Sequence, residues 1–401
     1  MRDVVIVGGG PAGSTTALSL AAAAPELAAR VVVLEKARYP REKPCAGALG
    51  ARGDHLLHEL GVDVDVPGAP VDGMSFRGVG AEVTAAPGRI GRVVRRVEFD
   101  EALARAVRSR GIEVQEGVRV DTVRNDEAGA ILATSSGPML ARIVAGCDGV
   151  GSVVRKALGV GVGGLRAQVV EVDTEPVRGD PDRSLLHFDA SDPGLAGYAW
   201  DFPTVVDGRP LVCRGVYRLK LDDDRSGDDP GPDVSALLAA RLRRQGIDPS
   251  QCKNKRYAER GYEPATRLAH GALMLVGEAA GIDPVTGEGI AQAIEYGVLA
   301  GRFLARQLTG DDGRPSVAGW HDEVARSRLG RDLRIRTRFV RLFYGPSRPE
   351  VDRFLTETPD ALYVGCQHFA AQPHDWLKLA EVLGRGAAQL LGVRIGEALG
   401  S

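Results

Sequence analysis

Residues 3–13 read Asp-Val-Val-Ile-Val-Gly-Gly-Gly-Pro-Ala-Gly, and this stretch decides the fold. Residues 3–7 are few, largely β-branched and end at glycine, the pattern of a strand buried on both faces of a parallel sheet. Gly8, Gly10 and Gly13 then satisfy the spacing GxGxxG. The first glycine allows a tight turn, the second lets backbone approach a pyrophosphate, and the third lets helix and strand pack closely. Residues 11–24, rich in Ala, Leu and Ser, read as a helix opening at Pro11 and Ala12. Its free N–H groups and dipole favour an anion. A second β-branched run at 31–34 ends on Glu35, twenty-two residues after Gly13. Strand, glycine turn, helix, strand and acid make a βαβ unit, with Glu35 placed to accept hydrogen bonds from a ribose.

The turn alone does not separate one dinucleotide from another. Far down the chain, the strand pattern at 273–277 ends in Gly277-Glu278, and Pro284-Val285-Thr286-Gly287-Glu288-Gly289-Ile290 leads into a helix expected from about 287 to 308. A carboxylate at a strand end suits ribityl hydroxyls. A glycine-rich helix start aims N–H groups at the N1–O2 edge of a flavin, where negative charge develops on reduction. Two cofactor-facing segments so far apart in the chain suit a long, two-ended ligand, and FAD is the cofactor expected.

Between these ends the texture changes. Lys36 to Gly53 is rich in Pro, Arg and Gly and reads as a long functional loop. Residues 97–110 have helical periodicity, and short strands follow near 112–120, 130–134 and 142–146. Residues 165–260 alternate in short runs broken by turn signals, the pattern of an antiparallel sheet. The acidic segment 222–233 reads as an exposed loop, and the last 90 residues as helical. The fold class expected is α/β: a Rossmann-like FAD-binding domain (1–75, 97–160 and 262–310), an inserted antiparallel-sheet substrate domain (76–96 and 161–261), and a helical C-terminal region (311–401).

Bulk properties narrow the function. The chain has 401 residues, 44% apolar and 26% charged, with a formal net charge of −2, so no global charge argues for nucleic acid. Five cysteines (45, 147, 213, 252 and 366) show no CxxC spacing, which argues against a metal site or a disulfide framework and for a reducing cytoplasm. An apolar run starts at Asp3 with no basic segment before it, so no signal peptide is expected.

These motifs resemble the flavoprotein superfamily of p-hydroxybenzoate hydroxylase, and within it the geranylgeranyl reductase family. The superfamily resemblance rests on the glycine turn, on Cys147-Asp148-Gly149 with Ser152 and Arg155, and on Gly277 to Ile290, and spans roughly residues 1–310. The family usually has aspartate where this chain has Glu278, one methylene longer. Two further motifs point to the reductases. Glu35-Lys36 is followed by Pro40-Arg41-Glu42-Lys43-Pro44-Cys45-Ala46-Gly47, similar to a Pro-Cys-Gly turn near the isoalloxazine. Tyr198-Ala199-Trp200-Asp201-Phe202-Pro203 is similar to the YxWxFP signature of the substrate cavity. On a strand Tyr198, Trp200 and Phe202 share one face, an aromatic wall for an apolar substrate. The resemblance further implies Arg96 near the cofactor phosphate or ribityl chain, and Asp148-Gly149 in contact with FAD and nicotinamide. A thiol at Cys45 would donate a proton to substrate, tune the flavin or simply pack.

The reaction implied is reduction of a carbon–carbon double bond in a prenyl or other apolar chain by hydride from FAD, itself reduced by NAD(P)H or another electron donor. A monooxygenase acting on an aromatic or polyketide-type substrate is the alternative on the same scaffold. A flavin halogenase fits less well: it needs a lysine beside the flavin, and none occurs between Lys43 and Lys156. A flavoprotein with no enzymatic role would show no substrate-dependent change in flavin oxidation state. Residues 326–341 carry seven arginines interleaved with Leu329, Leu333, Ile335, Phe339 and Val340. Such a helix either lies on anionic membrane or packs with its arginines paired to acidic surface.

Overall fold

The computed structural model describes residues 1–79, 81–220, 232–310, 315–373 and 375–386. Most of the acidic segment 222–233, and residues 387–401 of the expected helical region, lie outside the described residues.

The strand Arg2–Val7 is the centre of the first sheet. It pairs in parallel with Gly137–Gly146 on one side and with Val31–Glu35 on the other. Glu113–Glu116 extends the parallel set beyond Val31–Glu35, and Leu273–Leu275 extends it beyond Gly137–Gly146. Val4, Val5, Ile6, Val31, Val32 and Val33 are all buried, so successive residues pointing to opposite faces are both covered and the strands read as continuous apolar runs. Val120–Asp126 and Gly129–Thr134 add an antiparallel hairpin to the same sheet.

The helix Pro11–Ala23 lies against the long helix Ile290–Thr309, and the contact is made backbone to backbone. A Cβ on Gly297 would stand 2.7 Å from Thr15 Cβ and 2.8 Å from the Ala12 carbonyl oxygen. A Cβ on Gly301 would stand 2.5 Å from the Leu20 nitrogen. The spacing of four puts both glycines on one helix face, so the two helices approach closely along it. Ser19 Oγ closes the pair by donating to the Val298 carbonyl at 2.9 Å.

The second sheet has the order Lys255–Arg260, Arg166–Thr174, Arg209–Lys220, Gly197–Val206, Leu185–Asp189, Gly73–Arg77, Glu82–Ala85. It is not wholly antiparallel: Leu185–Asp189 runs parallel to Gly73–Arg77, a strand supplied from far earlier in the chain. That strand straddles the expected boundary at residue 75. Alternation along Gly197–Val206 sorts its two faces. Tyr198, Trp200 and Phe202 enter one core. Ala199 packs on the other side against Leu238 and Leu242 of the helix Val234–Arg244. Arg241 of that helix reaches Asp189 at 2.5 Å and Asp201 at 2.6 Å.

The expected helical C-terminal region contains Trp320–Arg326, Arg328–Tyr344, Arg348–Glu357 and Pro359–Ala370. In Arg328–Tyr344 the residues Leu329, Leu333 and Val340 are buried, whereas Ile335 and Phe339 are exposed. Arg336 turns inward. The helix is therefore packed along one side and presents a mixed basic and apolar stripe on the other.

Replacing Gly297 with Val is expected to destabilise the fold by roughly 1–3 kcal/mol through overpacking. Urea denaturation should show a lower midpoint with an unchanged slope. An unchanged midpoint would contradict the direct backbone contact.

Candidate FAD and substrate site

One cavity of about 960 Å³ runs from the glycine turn to the aromatic wall. At its first end Gly8 has φ +101°, and a Cβ there would stand 2.5 Å from the Cys147 carbonyl oxygen. A Cβ on Gly13 would stand 1.9 Å from the Gly8 carbonyl oxygen. Gly13 therefore allows turn and helix to touch, and it does not line the cavity. Gly10 does line it and has no side-chain cap, so the first N–H groups of Pro11–Ala23 are left to a ligand.

Glu35 ends the second strand and is buried. It accepts from the Gly9 N–H at 3.0 Å and from the Ala37 N–H at 3.0 Å. An ionised carboxylate has further lone pairs for ribose hydroxyls. Lys36 beside it is exposed at the cavity edge.

Arg96 opens the helix Arg96–Ser109 and forms a bidentate pair with Asp100 at 2.6 and 2.7 Å. Arg41 also reaches Asp100, at 2.9 Å, and lies 3.4 Å from Glu35. A Cβ on Gly10 would face both guanidinium groups, at 3.4 Å from Arg96 and 3.6 Å from Arg41. Two fixed cations beside an uncapped helix start suit a pyrophosphate. Arg41 stood in the quoted loop motif without a role, and the clue to it was an arginine six residues after the ribose acid.

At the flavin end Gly277 has φ +65° and packs against the helix Pro11–Ala23, where a Cβ would meet Ala12 Cβ at 2.7 Å. It does not line the cavity, but Glu278 does. Burial pushes the Glu278 carboxyl up, against the charges of Lys43 and Arg96. Asp148 caps the short helix Val153–Ala157 through Oδ2, which accepts from Val153 N–H at 2.7 Å. Ser152 Oγ adds a bond from Arg155 N–H at 2.9 Å, and Gly149 takes φ +70°. Asp148 Oδ1, Glu278 Oε1 and Glu288 Oε1 are buried and have no hydrogen-bond partner.

The helix expected from about 287 begins at Ile290. Gly287 takes φ +66°, so Gly287 to Gly289 form the approach and leave the helix start without a side-chain cap. The preceding loop is held by three tyrosines. Tyr217 donates to the Pro284 carbonyl at 3.0 Å, Tyr344 to that of Val285 and Tyr198 to that of Thr286. Pro284 thus lies behind the cavity lining as an anchor point, while Gly287, Glu288, Gly289 and Ile290 line it.

The Cys45 loop closes the opposite side. Gly47, at φ +85°, approaches strand Gly91–Val94 so closely that a Cβ would stand 2.1 Å from the Val94 carbonyl oxygen. Cys45 N–H donates to Glu171 at 3.0 Å, and Ala46 lines the cavity beside it. Burial pushes the Cys45 thiol up, more than the Arg96 charge pulls it down, so the thiol keeps its proton.

Tyr198, Trp200 and Phe202 form the far wall with Phe188 and Tyr217. Phe188 meets Tyr198 and Phe202 edge-on at 5.3 and 5.2 Å, and Tyr198 stacks on Tyr217 at 5.1 Å. The roof comes from the C-terminal helices, through Phe343, Leu355, Leu362 and Phe369. It is latched down by charge. His368 lies 3.0 Å from Asp332, Asp332 lies 3.2 Å from Arg336, and Arg336 lies 2.5 Å from Asp283. Burial opposes ionisation of Asp332, but His368 and Arg336 outweigh it and hold the carboxyl well below its usual range.

These features fit FAD. Two uncapped helix starts face one cleft, glycines leave room for close approach, and buried acceptors lack partners where ribityl hydroxyls would come. Residues 1–327 match the family of the FAD binding domain. The chain belongs to that family. As an FAD-dependent oxidoreductase it is similar to menaquinone reductase of Mycobacterium tuberculosis, 28% identical over 89% of this chain and 86% of the relative. It is also similar to digeranylgeranylglycerophospholipid reductase of Methanothrix thermoacetophila, 29% identical over 85% of this chain and 88% of the relative. A geranylgeranyl bacteriochlorophyll reductase-like structure from Thermoplasma acidophilum superposes with a TM-score of 0.73 at 22% identity, covering 90% of this chain and 91% of that one. The resemblance to geranylgeranyl reductases thus extends from the motifs to most of the chain.

Within this FAD-dependent oxidoreductase, Arg41→Ala is expected to weaken FAD binding about 10- to 100-fold, the value of one charge-assisted contact. Quenching of flavin fluorescence on titrating the apoprotein measures it. Wild-type affinity would remove Arg41 from the phosphate site.

Proposed function

We propose that this flavoprotein reduces carbon–carbon double bonds of a prenyl or other apolar chain. The observation that carries the reading is the continuity of one cavity: the wall of Tyr198, Trp200 and Phe202, roofed by Phe343, Leu362 and Phe369, opens directly onto the glycine turn at Gly287. An isolated alkene is a poor hydride acceptor, so it must be held close to the donor in a site that excludes water. An aromatic wall under an apolar roof does both. The relatives named for a digeranylgeranylglycerophospholipid and for menaquinone support an apolar substrate.

Bound FAD, reduced by NAD(P)H or another electron carrier, supplies hydride at N5. The chain contributes the rest. Arg41, Arg96 and the start of helix Pro11–Ala23 would hold the pyrophosphate, Glu35 the adenosine ribose, and Asp148 and Glu278 the ribityl chain. The N–H groups at Gly289 and Ile290 would stabilise the negative charge that the flavin gains on reduction.

We place the protein in the cytoplasm. No helix among the described residues is long and apolar enough to cross a membrane. The exposed Ile335 and Phe339, on a helix that also exposes Arg331 and Arg338, support peripheral contact with an anionic bilayer that holds the substrate.

Anaerobic incubation of the reduced holoenzyme with prenyl alcohols and prenylquinones of several lengths should give products heavier by two hydrogens per reduced bond, read by mass spectrometry. Trp200→Ala should slow this by about tenfold or more through loss of the wall, with FAD content unchanged. No hydrogenated product at any chain length would sink the proposal.

A further inference from the structure

One carboxyl group in the cavity has no role in holding the cofactor or the fold. Glu259 lies on the edge strand Lys255–Arg260 and lines the cavity. Its Oε2 is shielded from water and has no hydrogen-bond partner. A buried polar atom with no partner costs roughly 1–3 kcal/mol, so a folded protein keeps one where function uses it.

Its position is specific. A Cβ on Gly287 would stand 2.6 Å from Glu259 Oε2 and 3.2 Å from Tyr217 Cε2. Only glycine at 287 lets the carboxyl come so close to the turn. Tyr217 is the ring stacked on Tyr198 of the aromatic wall. The free oxygen therefore sits at the seam where the substrate wall meets the flavin edge. Two residues back on the same face, Tyr257 donates to Glu171 at 3.1 Å, and Glu171 accepts from the Cys45 N–H. Tyr257 and Glu171 are thus already engaged with each other, whereas Glu259, a residue of the cavity lining, keeps Oε2 unpartnered against the Gly287 turn.

We propose that Glu259 is the catalytic acid, giving its proton to the second carbon of the substrate double bond. The inference rests on the reduction proposed above. One alkene carbon takes a hydride from reduced FAD. The π pair forms the new bond at the other carbon with the carboxyl proton of Glu259, whose O–H bond breaks heterolytically. The alkene is reduced, the flavin is oxidised, and the carboxylate left behind regains its proton from solvent. The surroundings keep the acid loaded. Burial acts first, Glu278, Asp283 and Glu171 add repulsion, and Lys43 pulls the other way, so the carboxyl is held well above its usual range. Proton donation is then present below that raised value and lost as pH rises through it.

Glu259→Gln in the FAD-loaded enzyme tests this in two ways. The first needs no substrate. The infrared spectrum of wild-type holoenzyme minus that of the variant, at neutral pH, should contain a protonated carboxyl stretch that shifts in D2O. Carboxylate bands there instead would overturn the proposal. The second uses holoenzyme reduced by dithionite and mixed anaerobically with a prenyl substrate. Reoxidation should slow by about 10²-fold or more, with its fall at high pH abolished and FAD affinity unchanged. Wild-type reoxidation in E259Q, alongside loss in Cys45→Ala, would overturn it. If no prenyl chain reoxidises even the wild type, the substrate reading fails, and the infrared arm alone decides whether Glu259 holds a proton.

Discussion

Everything in this molecule hangs on the contact between the helices Pro11–Ala23 and Ile290–Thr309. They come from opposite ends of the FAD-binding domain and meet through Gly297 and Gly301, whose lack of side chains lets the second helix come close to the backbone of the first. A helix start is a useful anion site only when its N–H groups are uncapped and its position is fixed. The glycine contact provides the fixing for both helices at once. Gly13 and Gly277 continue the theme, drawing the turn and the second strand end against the same helix. In the proposed binding mode one end would face a pyrophosphate and the other a flavin edge, at a separation set by packing.

Substrate wall and cofactor turn are joined as firmly. Tyr198 and Tyr217 present their rings to the cavity and their hydroxyls to the loop Pro284–Thr286. Tyr344 adds a third bond from the C-terminal roof. A shift of the wall or roof is therefore felt at the turn that faces the flavin. The electrostatics divide along the same line. The phosphate end concentrates fixed guanidinium charge on Asp100, while the flavin end gathers carboxyls whose burial favours the neutral form. In the proposed mechanism that contrast would separate binding of a charged cofactor from handling of protons.

The parts legible from sequence were those with local signatures. The glycine turn, Glu35 and the strand–helix–strand order follow from spacing alone. The alternation of Tyr198, Trp200 and Phe202 on one face follows from the period of a strand. What escaped was set by long-range packing. Gly73–Arg77 joins the second sheet in parallel because of a strand more than a hundred residues later, and nothing in its own sequence says so. Gly287 reads as a helix start until its positive φ shows it to be the turn before one. The tyrosine hydroxyls, the roof and the orphan oxygen of Glu259 have no periodic mark at all. Gly297 and Gly301, small residues four apart on one helix, take their meaning only from the helix they pack against.

The central claim is that the reduced flavin passes its electrons to an apolar substrate and not to oxygen. Stopped-flow absorbance of the reduced holoenzyme, mixed with a prenyl substrate in the strict absence of dioxygen, measures this directly. The oxidised flavin spectrum should return when substrate is added and not in buffer alone. Flavin that stays reduced until oxygen is admitted, and then yields a product carrying labelled oxygen, would contradict it.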